Sequence, residues 1–320
     1  MIINKIYRRA GRESKRLREL PRKKLLNSDW YYSKFPHLRA YQNLAQGLDI
    51  IVLGSTPAKF SIDFSDERIK GANLAVCPET ITYDFNVLKN YHSYLKEGGM
   101  ILFVLCPFTF CKDKYRKGEG NQNYLNLRYY PILHRAMIDN FDINLYSKWV
   151  KNPFSVGKEA KIGLLKDIVK SVIGRKTHKS KVLSADEMEQ SAKKRIDDWM
   201  LEFKMKKPLV DEIPQFVKDS IAYNISVFKE MLGFLNERGY KYKVIIPPFS
   251  KELTGKIPLE FRNYTLFNPL TEVGADYISY IGDDKWFDNA FFKDAFCLNE
   301  QGRKALTRDI VSKLKKENLL

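Results

Sequence analysis

Four short apolar runs, each followed within four residues by proline, constrain this chain more than any other feature. Asp49-Ile50-Ile51-Val52-Leu53 closes in Gly54-Ser55-Thr56-Pro57. The run 72–77 ends at Pro78, 100–105 is stopped by Pro107, and 242–246 runs into Pro247-Pro248. Runs of this length and composition read as strands buried on both faces and ended by turns. Residues 276–280 read as a last strand. Between the runs the spacing changes. Phe85, Leu88, Tyr91 and Leu95 predict a helix over 81–97, capped by Gly98-Gly99. Amphipathic patterns predict further helices over 214–238 and 299–316. Strands alternating with helices predict an α/β fold, a mostly parallel sheet with helices on both faces. Ligands of such sheets bind at the C-terminal strand ends. Three turns converge there: Gly54-Ser55-Thr56, Cys77-Pro78-Glu79-Thr80 and Cys106-Pro107-Phe108-Thr109.

Charge then divides the chain of 320 residues. The formal net charge is +17. Residues 1–40 contribute +9 and residues 151–208 contribute +7, so the presumed core is close to neutral. We therefore expect a basic N-terminal arm, 1–47, and an α/β domain, 48–320. A polar loop and basic helical insertion over 112–208 interrupts that domain. A neutral core disfavours nucleic acid as a partner. In the arm, Ile3, Ile6, Tyr7 and Ala10 fall at helical spacing among arginines and lysines. Residues 1–24 would thus suit an anionic membrane surface. No apolar run reaches the roughly 18 residues that span a bilayer, and no apolar segment follows the basic start as in a secretory signal. The expected location is the cytoplasm, peripheral at the inner face of the membrane. The four cysteines (Cys77, Cys106, Cys111 and Cys297) are too few for a disulfide scaffold and read as free thiols. Neither a Cys-x-x-Cys pair nor a His-x-x-x-His pair is present, so no metal is expected. Dinucleotide and phosphate-loop motifs are missing too, and no cofactor is expected.

Ser55 stands directly after the first buried strand. Backbone N–H groups at such a turn can stabilise an oxyanion or hold an anion. Near the C-terminus, Lys293-Asp294-Ala295-Phe296-Cys297-Leu298-Asn299-Glu300-Gln301-Gly302 precedes the terminal helix. With these two blocks the chain resembles the SGNH/GDSL hydrolase superfamily, over roughly 48–110 and 214–317. That family carries a serine after its first strand, and an Asp-x-x-His followed by Leu-Asn-x-x-Gly before its last helix. The resemblance implies a flavodoxin-like three-layer fold with Ser55 as nucleophile and Asp294 as its acid. Leu298, Asn299 and Gly302 match the continuation. Relatives of this style include acyl esterases and acyltransferases of cell-envelope polymers. The implied substrate is therefore a glycan or acylated sugar of bacterial surface polysaccharide.

The chain also departs from that pattern. Cys297 stands where the family has its histidine, and a cysteine near Asp294 stays protonated at neutral pH. Pro78 has no N–H to offer an oxyanion. No asparagine follows the third strand; Thr109 lies there instead. Substitute bases are His134, after the polar loop, and Glu79, on the second turn; His92, His37 and His178 are more remote. The candidate catalytic residues are Ser55, Asp294 and Cys297. Gly54, Thr56, Glu79, Thr80, Thr109, His134 and Asn299 are the expected substrate-binding residues. Three functions fit: a serine-dependent acyl esterase or O-acyltransferase, a catalytically degenerate glycan- or protein-binding module, and a membrane-surface scaffold acting through the arm. The pattern leaves the oligomeric state open.

Overall fold

The computed structural model describes residues 25–112, 126–152, 162 and 182–320. The arm 1–24 and His178 lie outside them. Contacts divide the chain into two compact units. One comprises Met1–Gln42 and Asn123–His178, the other Asn43–Gln122 and Lys179–Leu320. These boundaries differ from the 1–47 arm and 112–208 insertion expected from charge, because helical residues after 184 pack on the sheet's own loops.

The larger unit holds a five-stranded, all-parallel sheet in the order β2-β1-β3-β4-β5. In chain order its main elements are β1 (Leu48–Gly54), α1 (Thr56–Lys59), β2 (Gly71–Asn73), α2 (Ile81–Tyr91) and β3 (Leu95–Val104). Then come α3 (Ala185–Phe203), α4 (Gln215–Glu237), β4 (Lys241–Ile246), α5 (Lys251–Gly255), β5 (Tyr277–Ser279) and α6 (Glu300–Lys316). Strands β1 and β3 are the near-continuous apolar runs of the sequence, and their C-terminal halves are buried throughout. That burial is what helices on both faces of a parallel sheet produce. Helix α4 turns its apolar stripe (Val217, Ile221, Phe228, Met231, Leu235) inward. Phe228 meets Phe103 of β3 edge-on at 5.1 Å. Burying such a side chain stabilises the fold by roughly 2 kcal/mol.

The helix expected over 81–97 is shorter. It ends at Tyr91, continues as one 3-10 turn (His92–Tyr94), and Leu95 begins β3. Leu95 has the spacing of the helix but pairs with Leu48 of β1, and Gly98 takes φ +63 within an irregular stretch of β3. A long-range strand pair has overridden a local period. β2 likewise stops at Asn73, short of the run 72–77. Asn73 explains this. Its Nδ2 donates to the carbonyls of Ala58 and Ile62, and its Oδ1 accepts from Ala75 N–H.

Helix α3 begins with a capping box, Ser184 with Glu187. It covers the loop after β3: Trp199 stacks on Phe108 at 4.2 Å. In the smaller unit, Trp30 stacks with Trp149, Tyr31 O–H donates to the Trp149 carbonyl, and Phe35 meets the same indole edge-on. Within the insertion expected to be helical, residues 131–147 hold only short pieces, Arg135–Met137 and Ile143–Tyr146. No described helix is long and apolar enough to cross a membrane.

Candidate functional site

The strand order 2-1-3-4-5 changes direction between β1 and β3, which places the fold's natural ligand crevice at the C-terminal ends of those two strands. Gly54 closes β1 there. Its φ is +129, and a Cβ on it would lie 2.5 Å from the Val104 carbonyl oxygen of β3. Only glycine lets the two strand ends run this close. Ser55 follows, half-buried, at the N-cap of α1. Its side chain makes no capping bond. Instead its Oγ accepts the backbone N–H of Glu79 at 3.1 Å. The Cys77–Pro78 peptide is cis, and the N–H that Pro78 lacks is supplied one residue later.

Beneath this turn lies a polar cluster that the sequence only partly disclosed. Glu79 and Asp84 are both buried. The Glu79 Oε2 accepts Val76 N–H at 3.2 Å. Asp84, in the first turn of α2, faces Gly54 N–H, and the two carboxyls lie against each other. Burial holds Glu79 well above the usual carboxylate range, and the Asp84 charge adds to this. Burial likewise pushes Asp84 up to about 7, against the lowering effects of Glu79, Gly54 N–H and the Lys112 ammonium. Lys112, buried at the end of the loop after β3, donates from Nζ to the Glu79 carbonyl at 3.2 Å. Asn224 of α4 holds that loop in turn, donating to the carbonyls of Phe110 and Lys112. The ends of β1, β2 and β3 are therefore tied together by one buried network.

Sequence reasoning named Glu79 but missed Asp84 and Lys112. Asp84 carried a signal: it lies four residues before Leu88, on the buried face of α2. Lys112 carried none, because its burial depends on partners distant in sequence.

The other expected site residues are used locally. Asp294 Oδ1 accepts the N–H groups of Phe296 (2.9 Å) and Cys297 (2.8 Å), closing its own turn. Cys297 is buried, and desolvation with the adjacent Asp294 pushes its thiol far up, so it stays protonated. Among the described residues neither one hydrogen-bonds Ser55. Their block is nevertheless close to the segment after Ser55. The Lys293 ammonium lies 4.9 Å from the Phe60 ring centre, and Asp63 N–H donates to Thr307 of α6. Asn299 is the N-cap of α6: Oδ1 accepts from Gly302 N–H, and Nδ2 donates to Ala290 and Phe292. Thr109 closes its own turn by accepting Cys106 N–H. Thr80 is the buried N-cap of α2, and Thr56 opens α1.

His134 belongs to the smaller unit, is exposed, and caps its own 3-10 turn by accepting Ala136 N–H. In that unit His37 is buried, its Nε2 2.9 Å from the Arg128 carbonyl oxygen. His92 follows α2 and packs on Phe234 and Tyr240; burial, with Arg238 nearby, lowers its pKa. All four cysteines are free. Among the described residues no cluster of His, Cys, Asp and Glu is placed to hold a metal. The chain matches no family model and no curated protein.

Proposed function

We propose that this chain is a binding protein built on an SGNH-like α/β scaffold. It holds a glycan or acylated sugar of surface polysaccharide at the β1–β3 strand ends, with Ser55 in contact and without hydrolytic turnover. The observation that carries this reading is the fate of Asp294 and Cys297. The resemblance would make them acid and base, but Asp294 closes its own turn and the Cys297 thiol is kept protonated. A serine hydroxyl needs a base to become a nucleophile. The switch-point location of Ser55 supports ligand binding at this edge.

A second reading, a serine-dependent acyl esterase or O-acyltransferase, is favoured by one specific feature. The Ser55 hydroxyl is not engaged in capping α1, and beside it lies a carboxyl pair with raised pKa values. Treatment with a fluorophosphonate probe, read by intact mass with Ser55→Ala as control, separates the two. The binding reading expects no Ser55-dependent adduct, together with retention of acylated oligosaccharides on a glycan array that is weakened in Ser55→Trp. An adduct that disappears in Ser55→Ala overturns it in favour of acyl transfer.

We further propose that the protein works in the cytoplasm, with the basic residues 1–24 as its contact to anionic membrane. Sedimentation with phosphatidylglycerol vesicles tests this. Deleting 1–24 is expected to abolish binding, and unchanged binding overturns the assignment.

A further inference from the structure

The carboxyl pair under the Ser55 turn has a property that holds whatever ligand the edge takes. Glu79 Oε1 and Asp84 Oδ1 have no N–H or O–H donor among the described residues, although both are buried. Ionised carboxylates only accept, so two of them in contact repel. A proton between them removes the conflict. Charge counting agrees. The titratable groups facing the pair are Lys112, from the loop after β3, and Cys77, from the turn that carries Glu79. Helix α4 contributes the neutral Asn224, and the β1 turn contributes Gly54 N–H and Ser55. One buried cation balances one carboxylate, and the second carboxyl is left to be neutral.

We propose that Glu79 and Asp84 share a single proton, carried on Glu79, and that this proton positions Ser55. The assignment to Glu79 follows from the partners. Asp84 faces Gly54 N–H and Lys112, which both favour its anion. Glu79 faces Asp84 and Cys77, which both oppose its own. The two residues of the β1 turn each meet one member of the pair: Gly54 N–H faces the Asp84 carboxyl, and Ser55 Oγ accepts the Glu79 N–H. Loss of the proton sets two like charges against each other in a medium of low dielectric. Their separation pulls apart the turns they hold. Glu79 is thus a positioning residue, acting on Ser55 through the turn.

Glu79→Gln is the decisive variant. Its carbonyl can accept Val76 N–H while its amide donates to Asp84, reproducing the protonated pair at every pH. Difference infrared spectroscopy of the whole chain should show a protonated-carboxyl band near neutral pH in the wild type that is weaker in Glu79→Gln. Amide hydrogen exchange of Gly54 and Ser55, corrected for intrinsic rates, should lose about tenfold protection per pH unit above the pair's titration in the wild type. It should stay flat in Glu79→Gln. Glu79→Ala should expose both amides at all pH values. Absence of the neutral-pH band from the wild type overturns the proposal. An equal pH-dependent loss of protection in Glu79→Gln also overturns it. If Glu79→Gln does not fold, the wild-type infrared titration decides alone. Neither readout involves a ligand, so the result is separate from the fate of the binding reading.

Discussion

The loops around Ser55 and the segment before the terminal helix are both dense in polar side chains, and they use them in opposite ways. In the segment, the side-chain bonds of Asp294 and Asn299 are short in sequence, and the one long reach is Ala295 N–H to Ser191 Oγ. Asp294 reaches Phe296 and Cys297, and Asn299 reaches Gly302, Ala290 and Phe292. Around Ser55 the bonds join residues far apart: Ser55 with Glu79, Glu79 with Lys112, Lys112 with Asn224. The first arrangement shapes one turn. The second fixes three strand ends relative to each other and keeps charge inside the fold. The second block of the resemblance therefore marked polar groups that shape a turn, while the chemically unusual groups, Glu79, Asp84 and Lys112, gather beside Ser55 from residues outside both blocks.

The sharpest way to break this comparison is to remove one acid from each region. Asp84→Ala removes the buried carboxyl that faces Glu79, Gly54 N–H and the Lys112 charge and should destabilise the protein by about 3 kcal/mol. Asp294→Ala removes a turn closure and should cost about 1 kcal/mol. Urea denaturation measures both, and equal losses would erase the distinction. The glycines test the one point on which the regions agree. A Cβ on Gly54 would lie 2.5 Å from the Val104 oxygen, and one on Gly302 would lie 2.2 Å from the Phe291 oxygen. Each alanine variant should lose roughly 3 kcal/mol, since in both cases backbone must move.

The pH dependence is smaller and carries opposite signs. Glu79 and Asp84 have raised pKa values when folded, so between about pH 4 and 7 the native state binds more protons than the unfolded one. Their contribution is fully present below pH 4 and declines as pH rises through 7. The expected loss is on the order of 2 kcal/mol, and it should shrink in Glu79→Gln, where Asp84 alone titrates. Asp309 of the terminal helix behaves in reverse. Its carboxylate is held down at about 2 by hydrogen bonds from Lys285, Lys313 and Tyr280, against partial burial. Its contribution is present above the ordinary aspartate range and is lost as pH falls through 2. Because its lysine partners are solvent-exposed, Asp309→Asn should change stability by about 1 kcal/mol. Thermal melts across pH 1.5–9 of the wild type and both variants read the two signs separately.

The smallest expected effect is a null one. Cys297→His restores the family's residue type, but position 297 is buried and its neighbour Asp294 already serves two N–H groups. We expect no Ser55-dependent hydrolysis of p-nitrophenyl acetate. A clear gain would show that the segment can still reach Ser55.

Much of the fold was legible because buried strands of a parallel sheet announce themselves as apolar runs, and Pro57, Pro78, Pro107 and Pro247 mark where they stop. The parallel sheet, the long helix over Gln215–Glu237 and the terminal helix over Glu300–Lys316 follow the pattern closely. Leu95 misled, since its spacing suits a helix while its partner, Leu48, is a strand residue. In the site, Gly54 and Ser55 were visible from the strand end alone, and Glu79 from its place on the second turn.

What the sequence determined by itself is local: where apolar runs form strands, where proline and glycine end them, and where Asn299 starts a helix. These depend on residues a few positions apart, whose geometry the backbone dictates. Only the tertiary structure decided that Asp84 and Glu79 meet, that Lys112 is buried with them, and that the Glu79 N–H holds Ser55. Burial and proximity set those charges, and both arise when strands separated by dozens of residues are brought side by side.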